Sequence, residues 1–201
     1  MTHKGNKKVA KTTQLAKWRR ISSRIILEHP RLTLVEDTLQ LPTGKNIRYL
    51  RHENKGNGGV IIVCIRDDKI LVQQQYSYPV DEVLYQFPGG RIEEGESYTA
   101  AADRELAEEA RLAMVDAKYL GWFYPDNRRT SAKLHVVFSD TTEDTPGTPD
   151  DDEIIENIWL PLAEFRYKLA NNDLPNYALL AAWSLLITKK PEILEHSKTL
   201  E

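Results

Sequence analysis

The sequence contains a single cysteine, Cys64, so neither a disulfide framework nor a cysteine-based zinc cluster can form within the chain. It also lacks an apolar run long enough to span a membrane, and its first residues lack the apolar core of a secretory signal. These absences make a disulfide-rich secreted protein and a membrane protein unexpected. We expect a cytoplasmic protein in which Cys64 is a buried strand residue.

Acidic residues are absent from residues 1–24, which are rich in lysine and arginine. This composition predicts a disordered basic tail, with an organelle-targeting segment or a nucleic-acid-binding arm as alternatives. The net charge of the whole chain is −3, which argues against a general nucleic-acid binder. With 201 residues, 41% hydrophobic and 28% charged, the composition is that of a soluble globular protein.

An alanine-rich run at residues 98–110 follows Gly95-Glu96-Ser97. Ser97 is a typical N-cap residue, so a helix is predicted to begin after it. Glu105, Glu108 and Glu109 are three and four residues apart, and side chains at that spacing share one face of a helix. Three carboxylates are therefore predicted to converge.

Carboxylates packed this closely repel one another, so their arrangement favours a hard divalent cation. The predicted metal ligands are Glu105, Glu108, Glu109 and a backbone carbonyl at Gly89, and Mg²⁺ is the expected ion, with Mn²⁺ as a substitute. Arg104 is four residues before Glu108 and is predicted to orient a carboxylate by a charge-assisted hydrogen bond. The alternative is an ordinary solvated acidic helix face.

At these positions the sequence resembles the Nudix hydrolases, whose signature box has glycine, glutamate and arginine at fixed spacings. The matching residues are Gly90, Glu96, Arg104, Glu105, Leu106, Glu108, Glu109 and Leu112. Arg111 departs from the box, since the family has glycine there. That glycine usually ends the helix in a left-handed conformation, which costs another residue roughly 1–2 kcal/mol. Either Arg111 adopts this strained conformation or the helix ends differently.

The pattern of apolar and turn residues predicts a hairpin from residues 31–39 and 46–51, followed by a glycine-rich linker at residues 54–59. Residues 25–53 are therefore expected to form a small β domain, and residues 54–201 the catalytic domain. Strands are predicted in the catalytic domain at residues 60–65, 70–75, 119–124, 132–138 and 154–160, with helices at 162–171 and 177–188. The uniformly apolar run 60–65 is predicted to be central. The resemblance implies an α/β fold, a Nudix α/β/α sandwich with a mixed sheet.

Beyond the box, the chain is similar to the ADP-ribose pyrophosphatase branch of the family. That similarity implies a homodimer through the N-terminal hairpin and a catalytic Glu153 acting as general base, with Glu108 and Arg104 also catalytic. Expected substrate-binding residues are Arg51, Gln75, Pro125, Arg128 and Arg129. Ser77 departs from relatives that have arginine there. Arg128 and Arg129 are candidates to replace that arginine, and the alternative is that they belong to a solvated turn. For Glu153, the alternative is a solubilising acidic run at residues 150–153.

These features predict a Mg²⁺-dependent hydrolase of ADP-ribose or a related nucleoside diphosphate sugar, releasing a nucleoside monophosphate and a sugar phosphate. A nucleotide-sugar substrate and a homodimeric partner are expected, with no membrane and no stable nucleic-acid partner. One alternative is a hydrolase with another base preference, such as one for GDP-mannose. Another is a non-catalytic Nudix-fold regulatory module, against which the complete set of box carboxylates argues.

Overall fold

The computed structural model describes residues 16–54, 56–147 and 154–195. It divides the chain into two compact units, with the boundary between Glu53 and Asn54. In the described part of the chain, no helix is both long and apolar enough to cross a membrane.

The N-terminal unit contains a three-stranded antiparallel sheet in the order β1-β2-β3. Its strands are β1 (Arg19–His29), β2 (Leu32–Gln40) and β3 (Asn46–His52). The predicted hairpin is therefore present as β2 and β3. The prediction of a disordered tail was wrong for residues 19–24, which form the first half of β1, while residues 1–15 lie outside the described residues.

Cross-strand partners explain why this basic segment forms a strand. Arg24 is bonded to Glu36 at 2.8 Å, and Arg19 donates to the side chain of Gln40 at 2.8 Å. The carboxylate that compensates Arg24 and the amide oxygen that accepts from Arg19 are both supplied by a neighbouring strand rather than by the local sequence. A local absence of acids therefore did not indicate disorder.

The second unit is built on a six-stranded mixed sheet. Its strands are β4 (Gly59–Arg66), β5 (Lys69–Ser77), β6 (Glu82–Gln86), β8 (Lys118–Phe123), β9 (Leu134–Ser139) and β11 (Ile155–Pro161). The strand order is β11-β5-β4-β9-β8, with β6 pairing with β5. Strand β4 runs parallel to β9, and the other pairs in this sheet are antiparallel.

Helices cover both faces of this sheet. Helix α1 (Tyr98–Ala110) packs in one apolar core, and α2 (Leu162–Ala170) and α3 (Tyr177–Lys189) pack in the other. Alternate residues of β4 enter the two cores, with Ile62 on the α1 side and Val63 on the other. The predicted α/β/α sandwich and the central position of residues 60–65 are confirmed. Cys64 is fully buried, and burial raises the pKa of its thiol to about 12.

Three short strands were not predicted from the sequence: β6, β7 (Leu112–Met114) and β10 (Thr142–Asp144). Strands β7 and β10 pair with each other as a separate two-stranded sheet. A three-residue strand has too little alternation to be recognised, and its pairing depends on a distant segment.

Candidate active site

Helix α1 presents the carboxylates of the site, and its two ends are capped differently. At the start, the Ser97 hydroxyl accepts a hydrogen bond from the backbone N–H of Ala100 at 3.1 Å, as predicted for an N-cap. At the end, Arg111 adopts the left-handed conformation with φ 56° and ψ 40°. The helix therefore ends in the conformation that the glycine of the box usually adopts. Arg111 adopts it with strain, because Arg111 has a Cβ.

A loop at residues 88–91 lies between α1 and the start of β4. Backbone bonds attach it to β4: Val60 N–H donates to the Gly90 carbonyl at 2.9 Å, and Ile62 N–H donates to the Pro88 carbonyl at 2.8 Å. A side chain at Gly90 would overlap the Glu105 carboxylate. The absence of a Cβ at Gly90 therefore lets Glu105 lie directly against the loop backbone.

Arg104 joins the carboxylates of the box. Its Nε and Nη2 atoms donate to the two oxygens of Glu96, each at 3.1 Å, in a bidentate pair. Its Nη1 atom donates to Glu105 at 2.9 Å and to Glu108 at 3.1 Å. Bonding to Arg104 holds the pKa of the Glu96 carboxyl below its ordinary value, and the Glu93 backbone N–H adds to this effect. Arg104 thus orients three carboxylates, where the sequence predicted one.

Glu109 is held by a separate set of donors. Its Oε2 atom accepts from the backbone N–H of Gly89 at 3.0 Å and from Nε2 of Gln73 at 3.1 Å. Asn157 donates from Nδ2 to the backbone carbonyl of Glu109 at 2.7 Å. Strands β5 and β11 therefore both contact the last turn of α1.

The three predicted metal-binding glutamates supply hard oxygen donors of the kind that Mg²⁺ prefers. Among the described residues, however, no group of three carboxylate, imidazole or thiolate side chains is already arranged to hold a metal ion. Glu105 and Glu108 share Nη1 of Arg104 instead. The residues fit a magnesium ion in donor chemistry, and two of them, Glu105 and Glu109, lie against the Gly89–Gly90 backbone. The carboxylates must rotate to close on one ion.

The remaining predicted site residues fall in three places. Gln75 is on β5, where its side-chain oxygen accepts from Gln86 at 2.9 Å. Arg51 is on β3 of the N-terminal unit and is bonded to Asp37, at 2.7 Å, and to Glu53. Glu153 lies outside the described residues.

Pro125, Arg128 and Arg129 lie in the connection between β8 and β9. The turn there is organised by Asp126, whose backbone carbonyl accepts from Arg129 N–H at 3.0 Å. The connection ends beside the start of β4, because the Gly59 N–H donates to the Lys133 carbonyl at 2.9 Å. The loop at residues 88–91 lies at the same end of β4.

Two residues of the site, Gln73 and Asn157, were missed from the sequence. Gln73 follows three apolar residues on β5 and is fully buried. A polar side chain within an apolar strand was the available signal, because a buried amide requires hydrogen-bond partners. Asn157 gave no comparable signal, since it is exposed and its strand is partly polar.

Comparison with known proteins identifies the family. The family model described as the NUDIX domain matches residues 56–182. The chain belongs to the Nudix family. Nudix hydrolases generally use a divalent metal, typically Mg²⁺, which agrees with the oxygen donors on α1.

Three curated relatives are similar over most of their length. The chain is 28% identical to the methanol dehydrogenase activator of Bacillus methanolicus over 64% of this chain and 70% of that protein. It is 27% identical to the ADP-ribose pyrophosphatase of Bacillus subtilis, over 65% and 70% of the two chains. It is 28% identical to the ADP compounds hydrolase NudE of Escherichia coli, over 71% and 77%.

A solved structure supports the same fold. The crystal structure of an ADP compounds hydrolase matches 94% of this chain and 100% of that chain with a TM-score of 0.82 and 23% sequence identity. At this identity the likeness establishes the fold alone.

Proposed function

We propose that this chain is a Mg²⁺-dependent hydrolase that cleaves the pyrophosphate bond of ADP-ribose or a related nucleoside diphosphate sugar. The products are a nucleoside monophosphate and a sugar phosphate. The observation that carries the proposal is the position of Glu105 and Glu109 against the Gly89–Gly90 backbone. This arrangement brings negative oxygen donors to a loop whose backbone a diphosphate–metal complex can approach closely. Relatives named as ADP-ribose and ADP-compound hydrolases support this substrate class.

The residues that would hold Mg²⁺ are Glu105, Glu108, Glu109 and the Gly89 carbonyl. A bound magnesium ion supplies neutralisation of the diphosphate charge and a lower pKa for bound water. Arg104 keeps Glu105 and Glu108 oriented through Nη1 while Glu96 holds the rest of the guanidinium. Catalysis then depends mainly on charge and position, as is general for transfer at phosphorus.

Glu153 is proposed as the general base that deprotonates the attacking water. Support comes from the described residues on both sides of it. Before the undescribed segment 148–153, a side chain at Gly147 would overlap the Ala107 carbonyl in the last turn of α1. After the segment, Asn157 is bonded to Glu109 in the same turn. The chain therefore leaves and returns beside the helix end that carries the box carboxylates.

Substitution of Glu153 distinguishes a base from a metal ligand. Glu153→Gln is expected to lower kcat strongly while Mg²⁺ affinity and KM stay near the wild-type values, because a general base acts in the transition state. If metal affinity falls together with kcat, Glu153 is a ligand. If neither changes, the base is another carboxylate of the site.

The substrate proposal is tested by a screen of nucleoside diphosphate compounds with Mg²⁺ or Mn²⁺. Released monophosphates are detected as inorganic phosphate after coupling to a phosphatase. ADP-ribose is expected to give the highest kcat/KM, and EDTA is expected to abolish turnover. A preference for GDP-mannose would show that the preferred nucleotide base is guanine rather than adenine. If no compound is turned over, the proposal that the chain is a hydrolase is wrong.

The proposed substrate contacts are Gln75, Pro125, Arg128, Arg129 and Arg51.

The chain is also proposed to form a homodimer through its N-terminal sheet. Strand β1 is an edge strand that is exposed along its whole length. Four of its apolar side chains are about half exposed: Ile21 48%, Ile25 59%, Ile26 45% and Leu27 49%. An apolar edge strand of this kind is a site for association, and a second copy of the sheet is the proposed occupant.

A further inference from the structure

Two residues outside the Nudix box, Gln73 and Asn157, donate hydrogen bonds to Glu109. Gln73 on β5 donates from Nε2 to Oε2 of Glu109 at 3.1 Å and to Oδ1 of Asn157 at 3.2 Å. Asn157 on β11 donates from Nδ2 to the Glu109 backbone carbonyl at 2.7 Å. One glutamate is therefore held through both its side chain and its backbone by two neighbouring strands.

The orientation of both amides follows from their partners. A backbone carbonyl only accepts, so Asn157 must direct its amino group at Glu109 and its oxygen at Gln73. A carboxylate likewise accepts, so Gln73 must direct its amino group at both Glu109 and Asn157. The two amides therefore fit the helix end in one consistent arrangement.

The buried oxygen of Gln73 shows that this arrangement has a cost. Gln73 is fully buried, and its Oε1 atom has no hydrogen-bond partner among the described residues. A buried unsatisfied oxygen destabilises the fold, and an apolar side chain at this position of β5 would avoid that penalty. The amino group of Gln73, rather than its packing, therefore accounts for an amide at this position.

We propose that Gln73 and Asn157 are positioning residues that orient Glu109 for the divalent cation, an inference that rests on the function proposed above. Gln73 and the Gly89 N–H both donate to the same oxygen, Oε2, and so set the rotation of the carboxylate plane. Asn157 sets the position of the backbone that carries it. Partners of this kind around a metal ligand preorganise the ligand and govern metal affinity.

Direct measurement of Mn²⁺ binding tests this role without substrate. The full chain is titrated with Mn²⁺, and the free ion is followed by electron paramagnetic resonance. Gln73→Met keeps a side chain of similar length but removes the amide, and it is expected to weaken Mn²⁺ binding about 10- to 100-fold. Gln74→Met is the matched control: Gln74 is the next residue of the same strand and is partly exposed. The control is expected to bind Mn²⁺ like the wild type.

A second variant keeps the test decisive if Gln73→Met does not fold. Asn157 is exposed, so Asn157→Ala is expected to fold and to weaken Mn²⁺ binding in the same direction. In both variants, kcat is expected to recover as Mg²⁺ is raised, whereas a purely structural defect would not respond to the ion. Wild-type Mn²⁺ affinity in the folded variants would overturn the inference.

The same measurements separate this inference from the proposed activity. Hydrolysis of ADP-ribose by the wild type, with Mn²⁺ affinity insensitive to Gln73 and Asn157, would overturn the positioning role and leave the activity standing. Mn²⁺ binding that depends on Gln73, without hydrolysis of any nucleoside diphosphate compound, would leave the positioning role standing and overturn the activity.

Discussion

At the scale of single residues, the site is a set of carboxylates with different partners. Glu96 is committed to a bidentate bond with Arg104, and this bonding keeps its pKa low. Glu105 and Glu108 share one nitrogen of Arg104, and Glu109 is bonded to Gly89 and Gln73 instead. The four glutamates therefore fall into three bonding arrangements, and substitution at Glu109 is the most direct test of the proposed metal-binding role.

Glu109→Gln is expected to lower turnover by at least about a hundredfold, which corresponds to roughly 2.7 kcal/mol of transition-state stabilisation. The amide keeps an oxygen that accepts the bonds from Gly89 and Gln73, so thermal unfolding is expected to change little. Steady-state hydrolysis of ADP-ribose with Mg²⁺ measures the effect. Glu94→Gln is the control, since Glu94 is exposed in the preceding loop. Near-normal turnover of the Glu109 variant would exclude it from the metal site.

At the scale of structural elements, contacts with a distant segment hold the strained residue at the end of helix α1 in place. Its last residue is followed by Arg111 at φ 56°, and the Arg111 carbonyl accepts a bond from Thr145 N–H at 2.9 Å. The same end of the helix is approached by Gly147, whose backbone lies against Ala107. The turn after α1 therefore connects to the segment that follows β10. This connection stabilises the left-handed conformation despite the Cβ of Arg111.

Arg111→Gly is expected to raise the free energy of unfolding by about 0.5–1 kcal/mol. Relief of left-handed strain gains roughly 1–2 kcal/mol, and the greater freedom of glycine in the unfolded chain offsets part of it. For a chain of this length, each kcal/mol of added stability raises Tm by about 2–4 °C. Asn172→Gly is the matched control, since Asn172 has φ 60° but asparagine tolerates this conformation. If both variants gain the same free energy of unfolding, relief of strain at Arg111 is not the cause of the gain.

The N-terminal sheet contains a partly buried ion pair that predicts a pH dependence. Asp37 is 4% exposed; burial alone would raise its pKa, but bonds from Arg51 and Ser23 lower it overall. A carboxyl with a lowered pKa in the folded state stabilises the fold above its unfolded pKa, about 3.9 for aspartate. That stabilisation is lost as the pH falls through the folded pKa.

Asp37→Asn is therefore expected to be less stable than the wild type near neutral pH, and this difference is expected to shrink below about pH 4. Thermal unfolding of both proteins between neutral and acidic pH measures the effect. Asp173→Asn, at an exposed residue, serves as the control. A stability difference that is independent of pH would show that packing, rather than ionisation, is the contribution of Asp37.

At the scale of the whole molecule, the proposed dimer is the main prediction. Sedimentation is expected to show a dimer for the full chain, and deletion of residues 1–53 is expected to remove both dimerisation and activity. Ile25→Lys places a charge on the exposed strand β1 and is expected to weaken the dimer without unfolding the chain. Ile154→Lys is the control, because Ile154 is 89% exposed in the other unit. A fully active monomer after truncation would contradict the proposal.

The sequence by itself determined the features that depend on local spacing. The positions of Ser97, Glu105, Glu108 and Glu109 are enough to predict a capped helix with carboxylates on one face, because helix periodicity and capping act within a few residues. The apolar run at residues 60–65 likewise indicated a central strand. The layers of the fold, which the resemblance to the Nudix hydrolases implied, also agree with the structure.

The tertiary structure decided the contacts between distant segments. Gln73 and Asn157 reach Glu109 from strands that are far from α1 in the sequence, separated from Glu109 by 36 and 48 residues. Strand β1 depends on pairing with β2, and the short strands β7 and β10 depend on each other. Such contacts follow from strand order and register, which are set by packing of the whole sheet rather than by the residues beside each strand.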